Sequence, residues 1–228
     1  PNIAIDTKNK IIVGFTNTDL ENNIIRFPLW LIYYKYYSYD EDNNILKEIQ
    51  EKYDMNLSLD KEICSSLISS HDHNGQRSKI ADECEKYGPV AYGGAFRNNI
   101  ARIKKGVQFK QEFLSKSVFN ICPENSEYPG YCTEKIFHAL EAGTIPVYWS
   151  SDIPEVHIIN ENKYCFCQID NRKLLQQQIK NLFENKEVFL NGNLFKKNAN
   201  IELTKYYFDL QNAIKTKLNS QTKQTISC

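Results

Sequence analysis

From Ile63 onward the chain alternates short apolar runs with stretches of helical spacing. Such alternation leaves few folds open. A strand that is apolar throughout must be covered on both faces, and the segments between the strands are long enough to supply covering helices. Cys64–Ser70, Val90–Tyr92, Val118–Cys122, Ile145–Trp149 and Tyr164–Ile169 read as strands. Arg77–Tyr87, Val107–Leu114 and TEKIFHALEA (Thr133–Ala142) read as helices. Ile80, Cys84 and Tyr87 share one helical face, and so do Leu175, Ile179 and Leu182 in a later helix. A last helix carries Leu203, Tyr207, Leu210 and Ile214 at the same spacing. Gly143 suits a helix C-cap, and Asp170 an N-cap. The expected fold is an α/β domain with a mostly parallel sheet flanked by helices, its ligand held at the carboxyl ends of the strands.

Before Ile63 the pattern is less regular. KIIVGF (Lys10–Phe15) reads as a short strand, followed by a polar turn from Thr16 to Asn23. The aromatic block Arg26–Asp40 fits helix or strand on periodicity alone. Residues 40–62 are charged and helix-prone. In the Tyr-rich run Tyr33–Tyr39, core packing or contact with another domain is expected rather than a membrane- or sugar-facing surface.

Composition excludes several function classes. The 228 residues hold 28 Lys plus Arg against 28 Asp plus Glu, which argues against nucleic-acid binding by bulk electrostatics. With 41% apolar and 25% charged residues, wholesale disorder is excluded. The longest apolar run, Phe27–Tyr34, is far shorter than the roughly 18 residues of a membrane span. The chain opens on Pro1 rather than Met and reads as a trimmed piece, so any targeting segment lies outside it. Its seven cysteines are odd in number and irregular in spacing, and read as free, mostly buried thiols of a reducing compartment. Cys165 and Cys167 stand too close for an ordinary zinc site, and His71-Asp72-His73 reads as a solvated loop, so no metal site is expected.

The segment from Phe119 to Trp149 carries the chemistry. A strand feeds a polar loop and the loop feeds a helix start, with Thr133 at the N-cap or first turn and Glu134 and Lys135 just inside. Free backbone N–H groups and the helix dipole favour an anion there. A lysine opposes the dipole at that end and makes sense if a phosphate lies between it and the helix. Glu134 suits ribose or sugar hydroxyls. Upstream, Gly93-Gly94 permits a close backbone approach, and Arg97 follows. An ordinary charged helix start and a plain glycine turn are the competing readings. Taken together, Arg97 and Lys135 offer two cations on separate loops at one sheet edge, as a nucleoside diphosphate leaving group requires. Glu124 is either a plain loop acid or a ligand contact. Tyr148 and Trp149 read as core, and Tyr131, after a Pro-Gly turn, as exposed.

ENSEYPGYCTEKI…ALEAGTIPVYW resembles the signature of the α-1,3-fucosyltransferases of glycosyltransferase family 10. Glu124-Asn125-Ser126 matches its first block; Gly130, Tyr131, Thr133, Glu134 and Lys135 match the second; Ile145-Pro146-Val147-Tyr148-Trp149 matches the third. Gly14-Phe15, Arg26-Phe27-Pro28-Leu29, Arg77 and Gly93-Gly94-Ala95-Phe96-Arg97-Asn98 also resemble family blocks, so the likeness spans roughly residues 1–185. Ser150 stands where the family has Gly, and Cys132 where it has Val.

The resemblance implies a GT-B fold with two Rossmann-like domains. Residues 1–60 would be a residual N-terminal and interdomain segment, and residues 61–228 the GDP-fucose-binding domain with C-terminal helices, most of the acceptor domain lying outside the chain. By analogy Arg97 and Lys135 contact the diphosphate, and Asn125, Tyr131 and Glu134 line the fucose and ribose. Glu124, Ser126 and Thr133 are further donor candidates. The implied reaction is inverting transfer of L-fucose from GDP-fucose to a hydroxyl of N-acetylglucosamine or glucose in an oligosaccharide, with no metal or cofactor required. The general base would lie in a Glu-Asn-x-x-Pro-type stretch of which Pro1-Asn2 is the tail, so no base is assigned within the chain. Transfer of another GDP-sugar, or nucleotide-sugar binding without catalysis, are the alternatives. The implied compartment is cytoplasmic or membrane-peripheral, of bacterial or viral type, and the Golgi lumen for a eukaryotic protein.

Overall fold

The computed structural model describes residues 12–17, 24–34, 45–153 and 155–226, with side chains through Asn219. Val13–Gly14 (β1) and Ile25–Arg26 (β2) form a small parallel pair. The main sheet comprises β3 (Ile63–Leu67), β4 (Val90–Tyr92), β5 (Ser117–Ile121), β6 (Ile145–Tyr148) and β7 (Cys165–Phe166). Its spatial order is β4-β3-β5-β6-β7, all parallel. The helices are α1 (Leu29–Tyr33), α2 (Ile45–Leu57), α3 (Gln76–Cys84), α4 (Val107–Ser115), α5 (Glu134–Glu141), α6 (Arg172–Glu184), α7 (Lys186–Leu190) and α8 (Ala199–Ile226).

Successive side chains of the central strands serve opposite faces, and each face has its own core. Phe119, Ile121, Ile145, Val147 and Trp149 pack with Ile80, Ala81 and Cys84 of α3 and with Leu175, Ile179 and Leu182 of α6. Tyr148 and Cys122 join the other face, with Ile136, Phe137 and Leu140 of α5 and with Ile45, Ile49 and Tyr53 of α2. Trp30 of α1 stacks on Phe137 with ring centroids 4.0 Å apart. The expected division after residue 60 falls between α2 and β3, but α1 and α2 share their core with α5.

The strand order places a switch point between β3 and β5. The chain leaves β3 towards β4 on one side, then returns past β3 to β5, and the covering helix changes face because crossovers keep one hand. Loops diverging from the two strand ends therefore leave a crevice.

Helix ends follow local chemistry. Gly143, at φ +64°, follows α5 in a Schellman motif: its N–H donates to Leu140 O at 2.9 Å, and Thr144 N–H to Ala139 O at 3.2 Å. A β-carbon at Gly143 would come within 2.7 Å of the Asn56 carbonyl carbon, so the turn and the α2 contact both select glycine. Lys61 Nζ donates to Asn56 O, Ser115 O and Ala142 O at 3.0, 2.8 and 3.3 Å, joining the carboxyl ends of α2, α4 and α5. Burial lowers its pKa to about 8.

Several expectations shift. The strand at Tyr164–Ile169 shrinks to Cys165–Phe166. Asn171, not Asp170, caps α6, its Oδ1 accepting from Leu174 N–H at 3.1 Å, because the turn closed by Asn171 N–H on Gln168 O delays the helix. The stripe expected along α8 is buried only at its start. Leu203 lies in the core, whereas Ile214 is exposed. The Arg26–Asp40 block resolves into β2 and α1, separated at Pro28, as far as residue 34. Lys10, Ile11, residues 18–23 and 35–44, Pro1-Asn2 and Cys228 lie outside the described residues. The six described cysteines are free thiols, all but Cys64 buried. No described helix is long and apolar enough to cross a membrane.

Candidate functional site

The crevice between the β3 and β5 ends contains a cavity of about 150 Å³, lined among others by Arg77, Lys110, Glu134 and Lys135. Leu67, Ile121 and Asn120 at the strand ends also line it. The Asn120 side-chain amide donates to Ser66 O at 3.2 Å and Ser66 Oγ at 3.1 Å, tying the two strands together beside it.

Glu124 organises the wall on the β5 side. It is fully buried, and its amide donates to Trp149 O at 2.8 Å. Its carboxylate accepts from Thr133 N–H (2.8 Å), Thr133 Oγ1 (2.8 and 3.0 Å), Tyr148 O–H (2.9 Å) and Lys135 Nζ (2.6 Å). A buried carboxylate needs such compensation, and here it joins the loop, the strand and the start of α5. Burial, Cys132 and Glu124 all push the Tyr148 phenol well up, so it stays a donor. Lys135 at the positive end of α5 is thus balanced within the protein. Its ammonium also donates to Thr133 Oγ1 at 3.2 Å, which leaves the third of its donors towards the cavity among the described residues.

Arg77 faces this wall from the start of α3. Its residue surface is 6% exposed, and Nη2 donates to Asn125 Oδ1 at 2.5 Å. Among the described residues that is its only side-chain hydrogen bond, and none of the ion pairs involves it. Burial depresses its pKa, while the charges of Asp72 and Glu124 oppose that shift. Asp72 is already engaged: it accepts from Arg77 N–H at 3.0 Å, Ser78 N–H at 2.9 Å and Ser78 Oγ at 2.6 Å, closing the first turn of α3. Its neighbours His71 and His73 stack on each other at 4.0 Å. A guanidinium has five N–H donors, so Arg77 retains a planar fork for a further acceptor.

Lys110 of α4 supplies a third cation. Burial lowers its pKa against the raising influence of Glu134, which lies 3.9 Å away. Its Nζ lies 3.1 Å from His138 Nδ1. Burial, then Lys110 and Lys52, push His138 down to about 3, so the neutral ring accepts from the ammonium. Three cations, Arg77, Lys110 and Lys135, line the crevice, and Glu134 is the one carboxylate on its lining among the described residues.

The other expected residues are placed as follows. Asn125 is exposed and holds Arg77; Ser126 is half-buried on the same loop. Thr133 stands at the N-cap position of α5, but its hydroxyl serves Glu124 instead of capping, so the first amides of α5 have no side-chain cap. Tyr131 is half-buried rather than exposed, and burial followed by the Glu124 charge raises its pKa. Tyr33, exposed at the end of α1, has its pKa raised chiefly by Glu134, which places it at the same helix start.

Arg97 departs from expectation. It is not among the cavity-lining residues and does not join Lys135. At φ +48° it turns back on α3, where Nη1 donates to Asp82 Oδ1 and lies 3.9 Å from Glu85 and 3.4 Å from the Tyr92 hydroxyl. Two adjacent carboxylates hold it there. Gly94 also serves the protein itself: a β-carbon there would lie 1.9 Å from Ser69 O. The cation that meets Lys135 is Arg77. Lys110 was absent from the expected set, and Arg77 stood there only as a match to a family arginine with no role assigned, although each stands on the apolar stripe of its helix, one turn before Ile80-Ala81 and Phe113-Leu114.

Comparison with known proteins settles the family. The profile of glycosyltransferase family 10 (fucosyltransferase), C-terminal part, matches residues 57–225. The chain belongs to glycosyltransferase family 10. Within that family, it is 39% identical over 87 residues to Alpha-(1,3)-fucosyltransferase FucT of Helicobacter pylori, 38% of this chain but 18% of that relative. A crystal structure of an α1,3-fucosyltransferase with GDP-fucose superposes with a TM-score of 0.62 at 23% identity, covering 92% of this chain and 72% of that one. One with GDP gives 0.61 at 22% identity, covering 91% and 71%. Likeness at this identity shows the fold, a Rossmann-like parallel sheet of the GT-B type. The family match starts later than the motif likeness and extends further, through most of α8.

Proposed function

We propose that this chain is the donor-binding part of a fucosyltransferase that moves L-fucose from GDP-fucose to a hydroxyl of N-acetylglucosamine or glucose in an oligosaccharide, with inversion. The observation that carries this reading is Arg77: a buried guanidinium with one neutral partner, facing Lys135 and Lys110 across a crevice at the switch point of the sheet. The kind of anion, a nucleoside diphosphate, is taken from the structural neighbours, which hold GDP-fucose and GDP.

In this arrangement the diphosphate lies between the Arg77 fork, Lys135 and the uncapped start of α5. Glu134, on the cavity wall, takes the hydroxyls of fucose and ribose, together with Asn125 and Tyr131 of the preceding loop. Ser126 lies further along the same loop. Glu124 and Thr133 act through Lys135, since their own polar atoms are spent on each other. The acceptor oxygen attacks the anomeric carbon from the face opposite GDP, and the bond from that carbon to the β-phosphate oxygen breaks. Negative charge grows on the departing diphosphate and meets cations already in position, so little reorganisation is needed. The acceptor proton passes to a base contributed from outside the described residues.

A thermal shift with GDP-fucose, GDP, GDP-mannose and UDP tests the reading. At ~100 times Kd, a ligand of the native state adds about 2.7 kcal/mol, or roughly 5–10 °C of Tm at this size. GDP-fucose and GDP should shift Tm and UDP should not. An equal response to GDP-mannose would move the assignment to another GDP-sugar. Silence with every guanine nucleotide would refute it.

A further inference from the structure

Away from Arg77, the signature loop is gripped by a buried cluster that the donor reading leaves unused. Arg26 of β2 donates through Nη2 to Gly130 O and to Glu155 Oε1, both at 2.8 Å, and through Nη1 to Tyr206 O–H at 2.8 Å. Tyr206, on α8, donates to Glu155 Oε2 at 2.9 Å, and the guanidinium also lies over its ring at 5.3 Å. The side chains of Arg26 and Glu155 are 9% and 1% exposed. Burial works against the Arg26 charge, but Glu155 and Tyr206 more than compensate and hold its pKa above the ordinary value. Glu155 itself sits at φ +40°, a strained conformation for a residue with a side chain.

The object of this grip is a single peptide segment. Arg26 holds the carbonyl of Gly130, and the Asp152 carboxylate accepts its N–H at 2.9 and 3.0 Å. Ser150, the residue that departs from the family glycine, donates to Asp152 O at 2.5 Å and shapes the turn that presents Asp152. Gly130 lies at φ +75°, and a β-carbon there would fall 2.4 Å from Asn17 Oδ1. Tyr131 is the next residue and α5 begins shortly after. A buried ion pair adds little net stability compared with well-packed apolar groups, whereas its directional bonds define one geometry.

We infer that Arg26, Glu155 and Tyr206 are positioning residues, which fix the Gly130 peptide and through it set Tyr131 at the sugar end of the donor site. This assigns β2 and the first turns of α8 a part in reading the fucosyl group. The inference rests on the donor reading above, so its test needs one arm that uses no ligand.

In the full chain, Tyr206→Phe deletes one hydroxyl, and Arg26→Lys keeps the charge but loses the fork. Calorimetry should show the Kd for GDP within about 3-fold of wild type and that for GDP-fucose weakened about 10-fold, equivalent to one charge-assisted hydrogen bond. An unchanged ratio of the two, or an equal loss for both, overturns the inference. Hydrogen exchange supplies the ligand-free arm: in Tyr206→Phe the amides of Tyr131–Thr133 should exchange about 10-fold faster while β5 amides keep wild-type rates. Unchanged exchange at Tyr131–Thr133 overturns the grip whether or not the donor reading holds. A wild-type chain that binds neither nucleotide refutes the donor reading and leaves the exchange result to decide the grip.

Discussion

Arg77 and Arg97 follow neighbouring strands of one sheet, and the fold treats them in opposite ways. Arg77 is buried, its one side-chain partner is the neutral Asn125, and a cavity lies before it. Arg97 is a third exposed and faces Asp82, Glu85 and Tyr92. A guanidinium already matched by carboxylates has little left for a ligand, since a phosphate would have to displace them. One kept out of water with most donors unspent has had its desolvation cost met by the fold, so a phosphate gains nearly the whole interaction. Readiness to bind an anion follows from what surrounds the cation, not from the glycines before it.

The largest effect expected from disturbing that contrast comes from its support. Glu124→Ala leaves the Tyr148 hydroxyl, the Thr133 amide and the Lys135 ammonium without their buried partner. It should cost about 3–5 kcal/mol of stability, as breaking a buried ion pair does. Urea denaturation would show it as a lower midpoint; a loss within about 0.5 kcal/mol, the scale of a plain surface substitution, would mean that Glu124 does not organise this wall.

Arg77→Ala comes next. Two charge-assisted hydrogen bonds to a diphosphate are worth about 3 kcal/mol together, so GDP affinity should fall on the order of 100-fold while Tm changes little. Calorimetry that finds GDP binding intact would remove the observation on which the functional reading stands.

Lys110 falls between the two arginines, since it leans on a neutral ring. With His138 pushed down to about 3 from an ordinary 6.5, the unfolded chain takes up a proton that the folded chain refuses between those values. Stability is therefore fully present above pH 6.5 and is lost as the pH falls below it. Linkage puts the His138 share at about 2 kcal/mol by pH 5. The unfolding free energies from urea denaturation at pH 7 and pH 5 should lie closer together by that amount in His138→Gln than in wild type. Parallel pH dependence in the two proteins would show that His138 titrates normally and that Lys110 has another partner.

Much of this architecture was legible in the sequence because strands buried on both faces are apolar throughout. IPVYW and the strand before ENS had no other reading, and β4 and α4 fall within a residue of their expected bounds. Boundaries failed where hydrogen bonding beyond the segment decides them: β7 pairs over two residues, and the α6 cap moved to Asn171. The site was legible by type more than by member. Lys135 and Glu134, which line the cavity, were legible because they sit within one continuous motif. Arg77, matched to a family arginine without a role, and Lys110 meet them through strand order, which no local pattern records. A legible trace existed all the same. Each is a cation one helical turn ahead of a buried apolar pair, where a solvated charge does not belong.

Arg97 should give the smallest effect. Its ion pairs with Asp82 and Glu85 are partly solvated, and pairs of that kind contribute about 0–1 kcal/mol. Arg97→Ala should therefore cost less than about 1 kcal/mol and leave the GDP Kd within about 3-fold of wild type. Arg97→Gly separates charge from backbone. It loses the same ion pairs but relieves φ +48°, so it should be at least as stable as Arg97→Ala. A loss of GDP affinity in both variants, larger than that of Arg77→Ala, would invert the contrast: the carboxylates would then be holding Arg97 until a phosphate displaces them, and the diphosphate would lie towards β4. If only Arg97→Gly weakened binding, the left-handed turn would matter to the crevice through the β3 loop that Gly94 touches, and the charge of Arg97 would not.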